Sequence, residues 1–387
     1  MLTNYKIMRK YLYVIIFLLL AYSCEKEISE KQTEYFLKIY GTYLENYASS
    51  VRPSMDNGYV IVGTSETEEN GTDITFIRTD RFGRQVGEIK YYGMSGNDYG
   101  LCVDQIENGY IIGGSVMDNG VKKAFLLETD QEGNQVGEMI IYGPGEYRSV
   151  RKRDDNTYLA VGSAGNTFLI TNYNPDTKTF RESFTGADNT MLYSIGFTPE
   201  GKTLSSGSEG NQLNMVHIDQ SGNYFATEKF GNPLAQNTFA SFIVISESNS
   251  LLLSNISASG IDFDVSLVKI QSSYNGPVSL ESDEVVDSTG ISGSGSYEGN
   301  AIIRMDNGNL AVLVTRTFAG DKNMLLYIMD EDLNLTAEPK EFGGTGDQEG
   351  VDLLYDNDHI LILGTNSYEG NTMITLIKTD SQGNIWK

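Results

Sequence analysis

The chain has 387 residues, more than one compact core usually organises, so it must hold either several domains or one repetitive body. Its 41 Gly and 24 Tyr, set against one Trp, 7 Pro and 40% apolar residues, describe a turn-rich β protein rather than a helical one. A formal charge of −24 repels phosphate backbones and excludes nucleic acid, while two cysteines and two histidines are too few for a disulfide framework or a His-rich metal site.

Residues 1–23 read as an export signal: a basic start (Lys6, Arg9, Lys10), then an apolar run from Tyr11 to Ala21. A run of about 11 residues is too short for a membrane-spanning helix, which takes about 20. The competing reading, a buried apolar helix that happens to precede a cysteine, lacks anything later in the chain to pack against. Ala21-Tyr22-Ser23-Cys24 resembles the lipobox of bacterial lipoproteins, with Ala21 and Tyr22 where Leu and a small residue are usual. That resemblance implies a lipid on Cys24, attachment to a membrane through it, and a mature chain with 25 basic against 52 acidic side chains.

Residues 24–34 are polar and suit a tether between lipid and folded body, reaching at most about 35 Å over ten residues. The acidic residues directly after Cys24 resemble the surface-export signal of Bacteroidota lipoproteins, which implies an outer-membrane, cell-surface location.

From residue 35 onward the chain repeats itself. An aromatic or Thr followed by Gly closes each unit at Gly41, Gly93, Gly143, Gly186, Gly231, Gly290 and Gly343, at intervals of 43 to 59 residues. Within a unit the apolar period is two. The second unit predicts strands at 101–106, 110–115, 124–128 and 135–142, joined by the turns Glu107-Asn108-Gly109 and Thr129–Asn134. Asp56-Asn57-Gly58, Asp155-Asn156-Thr157 and Asp306-Asn307-Gly308 occupy the first turn elsewhere and supply the positive φ of a two-residue hairpin. Each unit is a four-stranded antiparallel meander, a propeller blade. The fifth is the least regular, with Gln271–Pro277 read as its later turn.

The last unit stops after Thr379-Asp380-Ser381-Gln382-Gly383-Asn384-Ile385-Trp386-Lys387, inside its outer strand, and Phe36–Gly41 matches the missing end. The expected fold class is therefore all-β: one seven-bladed β-propeller over residues 35–387, its ring closed by the N-terminal strand pairing in the last blade and so leaving no open sheet edge there. With these turns and its Asn-Gly-Tyr-x-x-x-Gly hairpins the body resembles the propeller repeats of Bacteroidota surface lipoproteins, distantly similar to quinoprotein and WD40-like blades. Quinoprotein blades carry Trp after the Gly turn; here only Trp386 does, with Val86 and Val136 in units one and two, so no quinone and no other cofactor is implied.

Candidate chemistry is sparse. His217 falls in a slot held elsewhere by Arg78, Glu128, Lys269 and Lys378 and reads as a solvated strand position; His359 lies at the first turn of blade seven. Cys102, among apolar neighbours, reads as a buried inert thiol rather than a nucleophile. Gly290–Ser296 lacks the Lys and helix of a phosphate cradle and reads as a flexible inter-blade loop. Asp330, Asp332 and Asn334, with Thr336, Glu338 and Glu341, have EF-hand-like spacing, but Leu335 replaces the required Gly and Asp330 aligns with the turn Asp of other blades, so no metal site is assigned.

The most informative constellation is an aromatic slot before each innermost strand: Tyr47, Tyr99, Tyr147, Tyr193, Phe239 and Tyr297, with Glu349 in the seventh. These residues either pack blade on blade or line a ligand or partner face at the channel mouth. No catalytic motif is present. The favoured function is a non-enzymatic surface lipoprotein that binds a ligand or an outer-membrane protein complex, such as an accessory of a nutrient-uptake system. The alternative is a surface protein that binds glycans, or a hydrolase or lyase that acts on them.

Overall fold

The computed structural model describes residues 34–385 except 69–70, 154, 178, 186–188 and 369. Residues 1–33, which take in Cys24, the expected signal and nearly all of the expected tether, lie outside the described residues, as do Gly186 and Trp386.

Seven four-stranded antiparallel sheets follow one another as propeller blades. Their inner strands are Asn46–Pro53, Tyr99–Ile106, Glu146–Lys152, Thr190–Phe197, Gln236–Val244, Ser296–Arg304 and Gln348–Asp356. Each packs against the next, and the last packs against the first. Phe36–Tyr40 pairs antiparallel with Asn371–Asp380, from Phe36 opposite Lys378 to Tyr40 opposite Ile374, and supplies the outer strand of blade 7. The first and last strands of the described residues thus meet inside one sheet.

Between neighbouring blades lies a ring of apolar clusters, such as Val60, Val62, Phe76, Val103, Ile112 and Phe125 between blades 1 and 2. Aromatic residues at the unit ends stitch the seams. Tyr40 donates to the Gly83 carbonyl at 2.6 Å, and Tyr92 donates likewise to Gly133 in the next blade. Gly83 has φ +70°, and a Cβ there would lie 2.5 Å from the Phe36 ring. Only glycine fits that turn.

The later turns share one device. Asp80, Asp130, Asp219, Asp330 and Asp380 each fold a carboxylate back onto the backbone amide four residues on, at 2.7 to 2.9 Å. These Asx turns explain why Asp is the recurring turn residue.

Several sequence readings are corrected. The first turn is two residues long in blades 2 and 7, but spans five residues in blade 1 (Ser54–Gly58) and five in blade 6 (Met305–Asn309). In blade 5, Gln271–Tyr274 is strand, not turn: Asp264–Tyr274 pairs with Leu280–Ile291, and only Asn275–Ser279 connects them. Gly290 and Ile291 end that outer strand, which leaves Ser292–Gly295 as the connection to blade 6. In blade 2 the outer strand is shortened to Ile140–Pro144, because Gly137 at φ +74° breaks it after the Thr129–Gln135 bridge.

Candidate functional site: the central channel and its mouth

Each inner strand carries a one-residue β-bulge, at Ser49, Leu101, Arg148, Tyr193, Ala240, Asn300 and Val351. A bulge bends the strand and re-aims its side chains. It also pushes the carbonyl two residues earlier against the second strand, where a Cβ on Gly63 would stand 2.1 Å from the Tyr47 oxygen and one on Gly114 1.9 Å from the Tyr99 oxygen. That close approach is why the hairpins read Tyr-x-x-x-Gly, and it fixes where Tyr47 and Tyr99 stand.

Counted from the bulge, the aromatic slot is not one register but several. Tyr47, Tyr99 and Glu349 lie two residues before it, Tyr147 and Phe239 one before, Tyr297 three before, and Tyr193 is the bulged residue itself. All seven lie on the inner strands rather than ahead of them.

Their surroundings divide accordingly. Tyr47 is 47% and Tyr99 36% exposed, on the face built by the blade-to-blade connections, and Glu349 there pairs with Lys322. Tyr147 is 1% exposed and shares a 2.7 Å hydrogen bond with Thr171, while Phe239 and Tyr297 are buried in seam clusters. Tyr193, half-buried, stacks on Phe239 with centroids 5.6 Å apart and lies under the Arg148 guanidinium. The slot therefore holds packing residues and surface residues together.

Tyr43, on the connection between Tyr40 and Asn46, is 66% exposed and adds a third tyrosine to that face. The backbone beneath is held by buried polar side chains three residues before the bulge. Asn46 donates to the Thr42 carbonyl at 3.1 Å, and Asp98 accepts the Met117 amide at 2.7 Å. These staples stand next to Tyr47 and Tyr99, a signal visible once the repeats are aligned on the bulge.

Below the mouth, the inner strands of all seven blades line a cavity of about 580 Å³. Arg52, Arg148, Arg151 and Asp352 contribute from blades 1, 3 and 7; Ile195, Phe197, Ile243 and Val244 face it from blades 4 and 5. Asp352 accepts from Ser50 Oγ at 3.3 Å, the Val51 amide at 3.1 Å and Arg52 Nη1 at 3.1 Å, clasping blade 7 to blade 1. Asp104 accepts the Lys152 amide at 2.8 Å. Burial, with Arg52 close by, lowers the Arg151 pKa to about 10. None of these charged residues stands out in the sequence, because the aromatic alignment hides their register.

Cys102 is buried at the channel wall, its thiol pushed up to about 12 by burial despite the nearby Arg151 and Arg52. His359 donates from Nδ1 to the Asn357 carbonyl at 2.6 Å. Asp330 spends its carboxylate on the Asp332 and Asn334 amides, at 3.0 and 2.8 Å, and Leu333 takes the left-handed position at φ +63°. Among the described residues no cluster of His, Cys, Asp and Glu could hold a metal ion.

The solvated reading of His217 is overturned. Its side chain is 1% exposed and bonds through Nε2 to Asp283 at 2.7 Å, while Tyr274 donates to Nδ1 at 3.2 Å. The third strand of a propeller blade is covered on both sides by neighbouring blades, so its polar positions reach seam partners instead of water. Glu128 in the same slot accepts from Tyr173 at 3.1 Å, and Lys378 lies 5.6 Å over the Tyr59 ring.

No protein-family profile matches the chain, and no curated protein does. Among solved structures, the virginiamycin B lyase of Staphylococcus aureus with quinupristin is similar at TM-score 0.55 and 11% identity, over 89% of this chain and 99% of that one. The WD40 repeats of RRP9 reach TM-score 0.55 at 10% identity, over 88% and 96%. A protein from Lactobacillus plantarum reaches 0.52 at 14%, over 80% and 88%. At such identities the likeness shows the fold alone: the chain is a seven-bladed β-propeller, distantly similar in structure to a lyase and to WD40 repeats.

Proposed function

We propose that the chain is a non-enzymatic binding protein, held at the outer-membrane surface by a lipid on Cys24, that presents its channel mouth to a protein complex or ligand. The observation that carries this reading is the set of exposed tyrosines 43, 47 and 99 on one face, two of them on strands whose backbone is pinned by Gly63 and Gly114. Rigid tyrosines give large contact area at low entropy cost, which suits them to anchoring a partner. An accessory role in a nutrient-uptake complex is one form of this function.

The test is capture of partners from detergent-solubilised outer membranes by wild type and by a Tyr47→Ala, Tyr99→Ala double variant. Stoichiometric capture by wild type, lost in the variant with its melting temperature unchanged, is the expected result. Unchanged capture, or a loss that merely follows a fall in melting temperature, contradicts the reading.

A second reading, a glycan-binding or glycan-active hydrolase or lyase, draws support from the open cavity with Asp352 in its wall. Turnover on a polysaccharide panel that disappears in Asp352→Asn would replace the first reading with this one.

A further inference from the structure

The channel is polarised within a single level of the ring. Three residues past the bulge stand Arg52, Asp104 and Arg151 on blades 1 to 3, but Gly196, Ile243, Ile303 and Leu354 on blades 4 to 7. Phe197 and Val244 follow on blades 4 and 5 and also line the cavity, as does Arg304 on blade 6, whose guanidinium is taken up by Glu331. At this position blades 1 to 3 carry charge and blades 4 to 7 do not, and the apolar side chains that line the cavity are on blades 4 and 5.

The charges are unevenly committed. Asp352 is engaged by Arg52 and by two groups of blade 1, and Asp104 by the Lys152 amide. Arg151 makes one hydrogen bond to protein among the described residues, from Nη1 to its own Val150 carbonyl at 3.1 Å, and no carboxylate of the described residues lies within 4 Å of it. A guanidinium has five N–H donors in a planar fork that matches a carboxylate. Most of that fork is left for whatever enters the cavity; burial and Arg52 work against its charge, Asp104 and Asp352 offset part of that, and a carboxylate seated on the fork would balance the rest.

We propose that the channel binds a small amphipathic carboxylate, its charged end on the Arg151 fork and its apolar body against Phe197, Ile243 and Val244. A cavity of about 580 Å³ has the size of a small-molecule pocket. This rests on the binding reading above and names the ligand class for its channel.

The experiment is titration calorimetry of the full propeller with phenylacetate and hexanoate, beside their neutral amides and beside acetate. Both larger carboxylates are expected to bind at least about tenfold more tightly than either the amides or acetate, as loss of a charged hydrogen bond or of apolar burial implies. Arg151→Gln should weaken carboxylate binding by about tenfold or more with no fall in melting temperature, because the substitution relieves repulsion with Arg52. Lys229→Gln, on the outer strand of blade 4 and away from the cavity, should leave affinity within about twofold and guards against a general loss of positive charge as the cause. Equal binding of amide and carboxylate, binding of acetate as tight as hexanoate, unchanged affinity in Arg151→Gln, or no heat from any probe overturns the proposal. In that event, tyrosine-dependent partner capture still standing leaves the broader binding reading intact; loss of both removes it.

Discussion

In blades 1 and 3 the inner strands turn Arg52 and Arg151 toward the open channel, whereas the seam between blades 4 and 5 draws His217 and Asp283 wholly out of water. The strand grammar is the same in both regions. What differs is the hairpin of blade 5, whose strands run to Tyr274 and start again at Leu280, long enough to lay Asp283 and Tyr274 on the neighbouring blade. Charge at the inner edge of a blade faces the channel, in part tied up as in the Arg52–Asp352 pair and in part open as on Arg151, and charge on its third strand is consumed in holding the ring together.

The comparison breaks first at the seam. His217→Ala leaves the Asp283 carboxylate buried without its partner and should cost about 3 kcal/mol, read as a shift of the urea midpoint. A cost below about 0.5 kcal/mol would mean that water already reaches the pair.

Next come paired glycine substitutions. Gly83→Ala puts a Cβ 2.5 Å from the Phe36 ring at φ +70°, while Gly87→Ala has φ +74° with nothing within 4 Å. The first should cost about 3 kcal/mol and the second about 1 kcal/mol, the difference measuring the ring contact at the blade 7 to blade 1 closure. Equal costs would show that the closure yields.

Smaller still is Tyr40→Phe, which removes the hydroxyl that reaches the Gly83 carbonyl across that closure and should cost about 1 kcal/mol by thermal or urea unfolding. Stability should also depend on acid. Asp130, Asp155 and Glu247 have pKa values lowered in the folded state; burial opposes the lowering, and hydrogen bonds from Asn134, Thr157 and Lys202 outweigh it. A depressed carboxylate contributes stability that is present above its unfolded pKa, near 4, and is lost as pH falls through the folded value. The urea midpoint should accordingly decline below about pH 4. Cys102 supplies a kinetic counterpart: with its thiol pushed up to about 12, alkylation at about pH 8 should follow global unfolding and stay slow in native buffer.

Much of the fold is legible in the residues because turn chemistry and close packing leave marks there. The Asp80, Asp130 and Asp380 turns, the Tyr-x-x-x-Gly hairpins and the strand cut between Ile385 and Phe36 all follow from backbone requirements that few side chains meet. Blade 5 misleads because Ser272, Ser273 and Asn275 are turn formers, yet pairing of Ser272 with Asp283 and Ser273 with Ser282 carries the strands on. His217 misleads because period-two alternation assumes one wet face, and a propeller's third strand has none. The site is legible only in part. Tyr47 and Tyr99 are visible as aromatic residues, but the bulge that separates them from Tyr147 and Phe239 inserts one residue without a sequence signature, and Arg52 and Arg151 are lost in the same shift.

The division between a binding mouth and structural seams is tested most directly by partner capture normalised to folded protein, with His217→Ala beside the Tyr47→Ala, Tyr99→Ala double variant. The account predicts that folded His217→Ala, though less stable, captures partners as wild type does, and that the tyrosine variant, as stable as wild type, captures none. Capture lost in the first and kept in the second would contradict it.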